Sequence, residues 1–144
     1  MKHIFYFIGI CFIIHEVLWL LNPVEYTEKS KKLKDLMKQN KDKKWDEYPQ
    51  DYKDILINRG LPSLLFTLWM FTGLLTFNWF AFAVLIVFNT VFIMPLGKLF
   101  KFSFAYTALH WLNSIIGFAF GLFVIINSYH LKLNLYEIVK AWLF

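Results

Sequence analysis

The chain has 144 residues, of which 58% are hydrophobic, 21% aromatic and only 17% charged, against roughly 45–50% apolar and about 25% charged in an average soluble domain. That balance excludes a disordered or collagen-like chain, the length allows one domain, and the lone Cys11 excludes an internal disulfide scaffold. The net charge of +5 would suit a nucleic-acid binder only with stacking aromatics among the basic residues, and most of these crowd a stretch where only Trp45 is near.

The first apolar run, residues 4–14, continues past His15 and Glu16 to Leu21. Asn22-Pro23 then closes the helix, because proline cannot donate the next backbone hydrogen bond. At about 1.5 Å per residue, residues 4–21 reach about 27 Å, enough for the hydrocarbon layer of a bilayer. Val17, Leu18 and Trp19 are too bulky for the small-x-small cleavage site of a signal peptide. The segment 3–21 is therefore read as an uncleaved first span.

Residues 22–60 hold ten of the fifteen Lys/Arg residues and eight of the ten acids. Lys29, Lys31, Lys32, Lys34, Lys38, Lys41, Lys43 and Lys44 crowd the first part, and Asp46, Glu47, Asp51 and Asp54 the second. Leu33, Leu36 and Met37 recur at helical spacing, which predicts a helix over 27–39. A second over 50–58 would set Tyr52, Ile55 and Leu56 on one side.

From 61 to 97 the chain carries no charge. That is too long for one span and right for two, 61–77 and 79–97, broken at Thr76-Phe77-Asn78-Trp79. Pro62 suits a first helical turn after Gly60, and Pro95 with Gly97 should end the third span. Lys98 and Lys101 precede a fourth span over 104–127. The tail, 130–144, has Leu131, Leu135, Ile138, Val139 and Trp142 at helical spacing, an amphipathic pattern suited to a membrane surface. The sequence thus predicts an all-α integral membrane protein: a four-span helical bundle with a charged helical cytoplasmic loop and a C-terminal amphipathic interfacial helix.

Orientation follows the distribution of Lys and Arg. The face bearing 22–60 and the 98–101 link holds twelve positive residues, against Lys2, Lys132 and Lys140 on the other. This predicts a multi-pass protein of the cell membrane with both termini outside and the 22–60 loop cytoplasmic. The basic cluster then contacts lipid or a partner. Lysines beside a cytoplasmic leaflet gain about 1 kcal/mol each from anionic headgroups, and no nucleic acid is needed to explain them.

Measured from the cytoplasmic ends of the spans, His15, Glu16, Thr67 and His110 lie about 7–9 Å deep, and Asn89 with Thr90 about 10–12 Å. His110, Asn113, Ser114, Gly117 and Gly121 share one face of the fourth helix. These residues form a candidate intramembrane polar site: His15, Glu16, Thr67, Asn89, Thr90, His110, Asn113 and Ser114. Gly9, Gly117 and Gly121 are read as helix-packing positions, since small residues let membrane helices approach closely. A carboxylate in hydrocarbon costs at least roughly 2.5–3.5 kcal/mol, so Glu16 should face protein or water and have a partner.

Catalytic motifs are missing. His15-Glu16 is followed by Val17-Leu18-Trp19, so a zinc-protease motif fails at its second histidine. One cysteine excludes a thiol oxidoreductase, and Ser114 sits in no nucleophile elbow. No catalytic residue, metal or cofactor is assigned. Three functions remain, the first favoured: a non-enzymatic homo-oligomer or membrane-complex subunit; a pore or carrier for protons, cations or a small polar solute through Glu16, His15 and His110; and an enzyme acting on lipid. The small-residue face of the fourth helix would serve the first as its assembly surface.

Overall fold

The computed structural model describes residues 2–42, 44–101 and 103–143; Lys43 of the basic cluster and Phe144 of the tail lie outside the described residues. The described chain is helical throughout, apart from short turns. Helix α1 is Lys2–Leu21 and α2 is Pro23–Gln39. Three longer helices come next, α3 (Gln50–Gly73), α4 (Trp79–Phe100) and α5 (Phe104–Leu131), and then α6 (Leu135–Leu143). Among the described residues, α1, α3, α4 and α5 are long and apolar enough to cross a membrane. They alternate in direction, so 22–60 lies at one end, the loop side, and the α3–α4 turn with the tail lies at the other, the turn side.

Two proline positions depart from expectation. Pro62 begins no helix and Pro95 ends none: α3 and α4 run through both. Proline lacks an N–H, and its ring strikes the carbonyl four residues back. Each helix widens by one residue just before its proline. Leu61 donates to the carbonyl of Leu56 across a π turn at Leu56–Gly60, and Met94 donates to Asn89 across a second at Asn89–Ile93. Such turns keep the helix continuous while moving the preceding carbonyls away from the ring. The predicted 50–58 helix is consequently the first part of α3, not a separate element.

α3 ends at Gly73, earlier than the expected 77, because α4 folds back tightly there. A β-carbon at Gly73 would stand 2.4 Å from the Phe82 ring. Asn78, buried in the turn, donates to Ser128 Oγ at 2.7 Å and accepts from Asn127 Nδ2 at 2.6 Å. Asn127 also accepts from the Leu133 amide at 2.7 Å, which ties the turn, the end of α5 and the tail together. Lys132 takes a left-handed conformation, φ 53°, and reverses the chain into α6. There Tyr136 packs on Trp79, ring centroids 5.3 Å apart.

Lipid is as apolar as leucine, so helices packed in it gain little from hydrophobicity and depend on shape. The core is aromatic and interlocked, the kind of shape-dependent packing that helices in lipid would need. Phe12, Phe66, Trp69, Phe82 and Val124 are buried, with Phe5 and Phe120 against them. Phe82 meets Trp69 and Phe120 edge-on, at 5.1 and 4.9 Å, and Trp69 Nε1 donates to the Phe5 carbonyl at 3.0 Å. Phe5, Trp69, Phe82, Phe120 and Val124 sit in the turn-side half of the long helices, and Phe12 and Phe66 lie between that half and the cavity.

On the loop side, α2 folds back along α5. Thr107 Oγ1 donates to Thr27 Oγ1 at 3.1 Å, and Trp111 Nε1 donates to the Leu20 carbonyl at 3.3 Å. Lys32 joins α2 to α3 through Asp51 at 3.2 Å, and Lys29 pairs with Glu25 one turn away. The described lysines of the cluster, Lys31, Lys34, Lys38, Lys41 and Lys44 among them, are solvent-exposed.

Candidate functional site

Glu16 lies on the face of α1 that meets α5. The contact is possible because α5 presents glycine there. A β-carbon at Gly117 would stand 3.1 Å from Glu16 Cδ, and one at Gly121 would stand 2.6 Å from Ile13 Cγ1. Gly9 receives the Trp69 ring in the same way, at 3.0 Å. The small-residue face of α5 is therefore filled by α1 of the same chain. The Glu16 side chain keeps 12% of its exposure and that of His15 23%, with Oε1 3.8 Å from His15 Nδ1. That spacing is an ion-pair distance if His15 is protonated, but too long for a hydrogen bond.

Both residues face a partly open cavity of about 800 Å³ lined by all four long helices and α2, within the range of about 300–1,000 Å³ usual for small-molecule sites. His15, Glu16, Thr67, Asn89, Thr90 and Asn113 all line it. Six of the eight polar residues predicted from depth and helical phase thus line one space. Thr67 and Asn89 spend a donor on their own helices, bonding the Ser63 and Leu85 carbonyls at 2.8 and 3.0 Å. By contrast, His15 Nδ1 and Asn113 Oδ1 are buried without a hydrogen-bond partner. An unmet buried polar atom costs about 1–3 kcal/mol, which a ligand supplying the bond would recover.

His110 and Ser114 are not brought in. The His110 ring lies on Tyr106 and Trp19, centroids 4.2 and 5.9 Å away, and its Nε2 is directed to the surface of α4 at Gly97. Ser114 is buried elsewhere on α5 and does not line the cavity. Helical phase separates only Ser114, about 100° round from Asn113; His110 is within about 20° of Gly117 and is held aside by its ring contacts with Tyr106 and Trp19.

The cavity has a chemical gradient. Its turn-side floor is apolar, formed by Phe12, Phe66, Met70 and Leu85. Its loop-side end carries Ser30, Lys34 and Arg59. Arg59 was not singled out as a site residue from the sequence, although it is the chain's only arginine and stands directly before Gly60-Leu61-Pro62. It donates to the Tyr26 carbonyl at 2.7 Å and to Ser30 Oγ. Its guanidinium also lies over the Tyr26 and Trp19 rings, 4.5 and 5.1 Å from their centroids.

Chemically, the middle of the cavity is a set of acceptors: two carboxylate oxygens, an amide oxygen and an imidazole nitrogen. Among the described residues no three His, Cys, Asp or Glu side chains gather as a metal site. The set suits a cation that carries its own N–H donors, since each acceptor can then take a directional bond. Comparison of the chain with protein-family profiles, with curated proteins and with solved structures finds no match.

Proposed function

We propose that this chain is a multi-pass membrane protein that binds an organic ammonium cation in an intramembrane cavity, as a binding or carrier component rather than an enzyme. The observation that carries the reading is the convergence of Glu16, His15 Nδ1 and Asn113 Oδ1 on one cavity, the last two buried and unpartnered. A largely buried carboxylate at this depth calls for a positive partner, and the neighbouring His15 Nδ1, at 3.8 Å, is too far to hydrogen-bond it. The aromatic core closes the cavity toward the turn side, which supports a binding chamber with one-sided access over an open pore. In this reading both termini are outside and the 22–60 loop is cytoplasmic, its exposed lysines resting against anionic headgroups. Self-assembly loses its main support, because α1 already occupies the Gly117–Gly121 face.

The test is chemical. A hydrophobic carbodiimide adds to a protonated carboxyl in an apolar setting and leaves a stable acylurea that mass spectrometry can locate. With the full chain in neutral-lipid nanodiscs, Glu16 should be labelled, and alkylammonium salts should slow its total modification, counted as acylurea plus the amide that a free amine forms with the activated carboxyl. The matching alcohols should leave it unchanged, and Glu16→Gln should remove the adduct. Labelling of Glu16 that no alkylammonium slows would refute the proposal.

A further inference from the structure

Resting on that reading, we infer that the cation is the head of an amphiphile, an alkylammonium lipid or single-chain amine, which enters sideways from the loop-side leaflet between α3 and α4. Two routes lead to Glu16. The one from the aqueous loop side passes Arg59 and Lys34, both lining that end of the cavity. Arg59 is held there by Tyr26 and Ser30. A hydrated cation on this path meets like charge before it reaches the carboxylate.

The second route is lateral and uncharged. α3 and α4 are pressed together near their turn, where Gly73 takes the Phe82 ring against its backbone. α3 packs on the half of α4 nearest that turn, and toward the loop side the two helices separate around the cavity. The rim of the opening is Leu64, Thr67 and Phe71 on α3, and Thr90 and Met94 on α4. Leu64, Phe71 and Met94 are 57%, 56% and 60% exposed, on a helix surface that in a bilayer faces acyl chains.

The opening therefore has hydrocarbon outside, apolar side chains at its rim and a hydrogen-bond-accepting carboxylate within. That order matches a molecule with a long chain and an N–H-bearing cationic end. Its three ammonium donors would be taken by Glu16, Asn113 Oδ1 and His15 Nδ1 while the chain remains between α3 and α4. A tail-less cation fits the acceptors equally but gains nothing from the rim.

The experiment uses the same carbodiimide protection in nanodiscs, read as half-protecting concentration so that changes in labelling rate do not enter. Dodecylammonium and methylammonium are compared on the native chain, on Met94→Trp and on Leu64→Trp, which narrow the opening from opposite rims at exposed positions outside the acceptor set. Dodecylammonium should protect at lower concentration than methylammonium, and each tryptophan should weaken its protection by about tenfold or more while leaving methylammonium unchanged. Two variants guard against one misfolding, and a thermal midpoint matching the native chain marks the informative one. Protection by dodecylammonium that neither tryptophan alters, or equal potency of both amines, would overturn lateral entry and leave ammonium binding intact. Absence of protection by either amine would remove both.

Discussion

A single β-carbon added at Gly121 or Gly73 would overlap a neighbour, Ile13 Cγ1 at 2.6 Å in one case and the Phe82 ring at 2.4 Å in the other. Neither neighbour can yield cheaply, since Ile13 meets the added carbon with Cγ1, close to its own backbone, and Phe82 is fully buried. Gly121→Ala and Gly73→Ala should each lower stability by about 1–3 kcal/mol, the usual cost of overpacking. Thermal unfolding in a mild detergent measures it. Gly117→Ala should cost less, because its contact is the end of a flexible carboxylate side chain, at 3.1 Å. Its effect should appear at Glu16 instead, as altered carbodiimide labelling. An unchanged midpoint for Gly121→Ala would mean that α1 and α5 have room for a methyl group between them.

Of the three π turns among the described residues, that at Asn127–Leu131 has no proline after it; the other two show how a local rule acts at long range. Each precedes a proline, and each contributes to the cavity: Leu56, Arg59 and Gly60 from the first, Asn89 and Thr90 from the second. One extra residue in a turn rotates the helix on one side of it by about 100° relative to the helix on the other. Pro95→Ala removes the ring clash and returns a backbone donor, so the turn at Asn89–Ile93 is free to tighten into an α-helix. The variant should unfold no earlier than the native chain, yet protect Glu16 less well with dodecylammonium, because Asn89 and Thr90 turn away from the opening. Protection at the native concentration would show that packing alone, without the proline, sets the phase of α4.

For the molecule as a whole, charge and connectivity make a joint prediction about sidedness. With twelve of fifteen basic residues at the loop end, Lys38 should face the cytoplasm and Lys132 the exterior. On a Cys11→Ala background, Lys132→Cys should react with a membrane-impermeant maleimide in intact cells, and Lys38→Cys only after permeabilisation. The reverse pattern would invert the topology and place the cavity's entrance in the outer leaflet. The buried Asn78–Asn127 pair holds the opposite end closed. That network and the aromatic core beneath it make the turn side the rigid half, while the polar cavity lies in the half whose helices diverge.

The number of span-length helices, their long apolar stretches and the concentration of charge in one connecting segment were legible from residue order alone, because each is set by local hydropathy, length and backbone chemistry. Relative depth was legible as an expectation, since rise per residue is constant, and it drew attention to His15, Glu16, Thr67, Asn89, Thr90 and His110; Asn113 and Ser114 came from the shared face of α5. Azimuth was not. Whether a side chain at a given depth enters the cavity depends on how far its helix is rotated, and that is decided by partners far away in sequence: Gly117 accepting Glu16, Tyr106 and Trp19 holding His110 aside, a π turn re-phasing α4. Arg59 became part of the cavity only because α2 folds back to hold it. Such contacts join residues dozens of positions apart, and no periodicity along the chain records them.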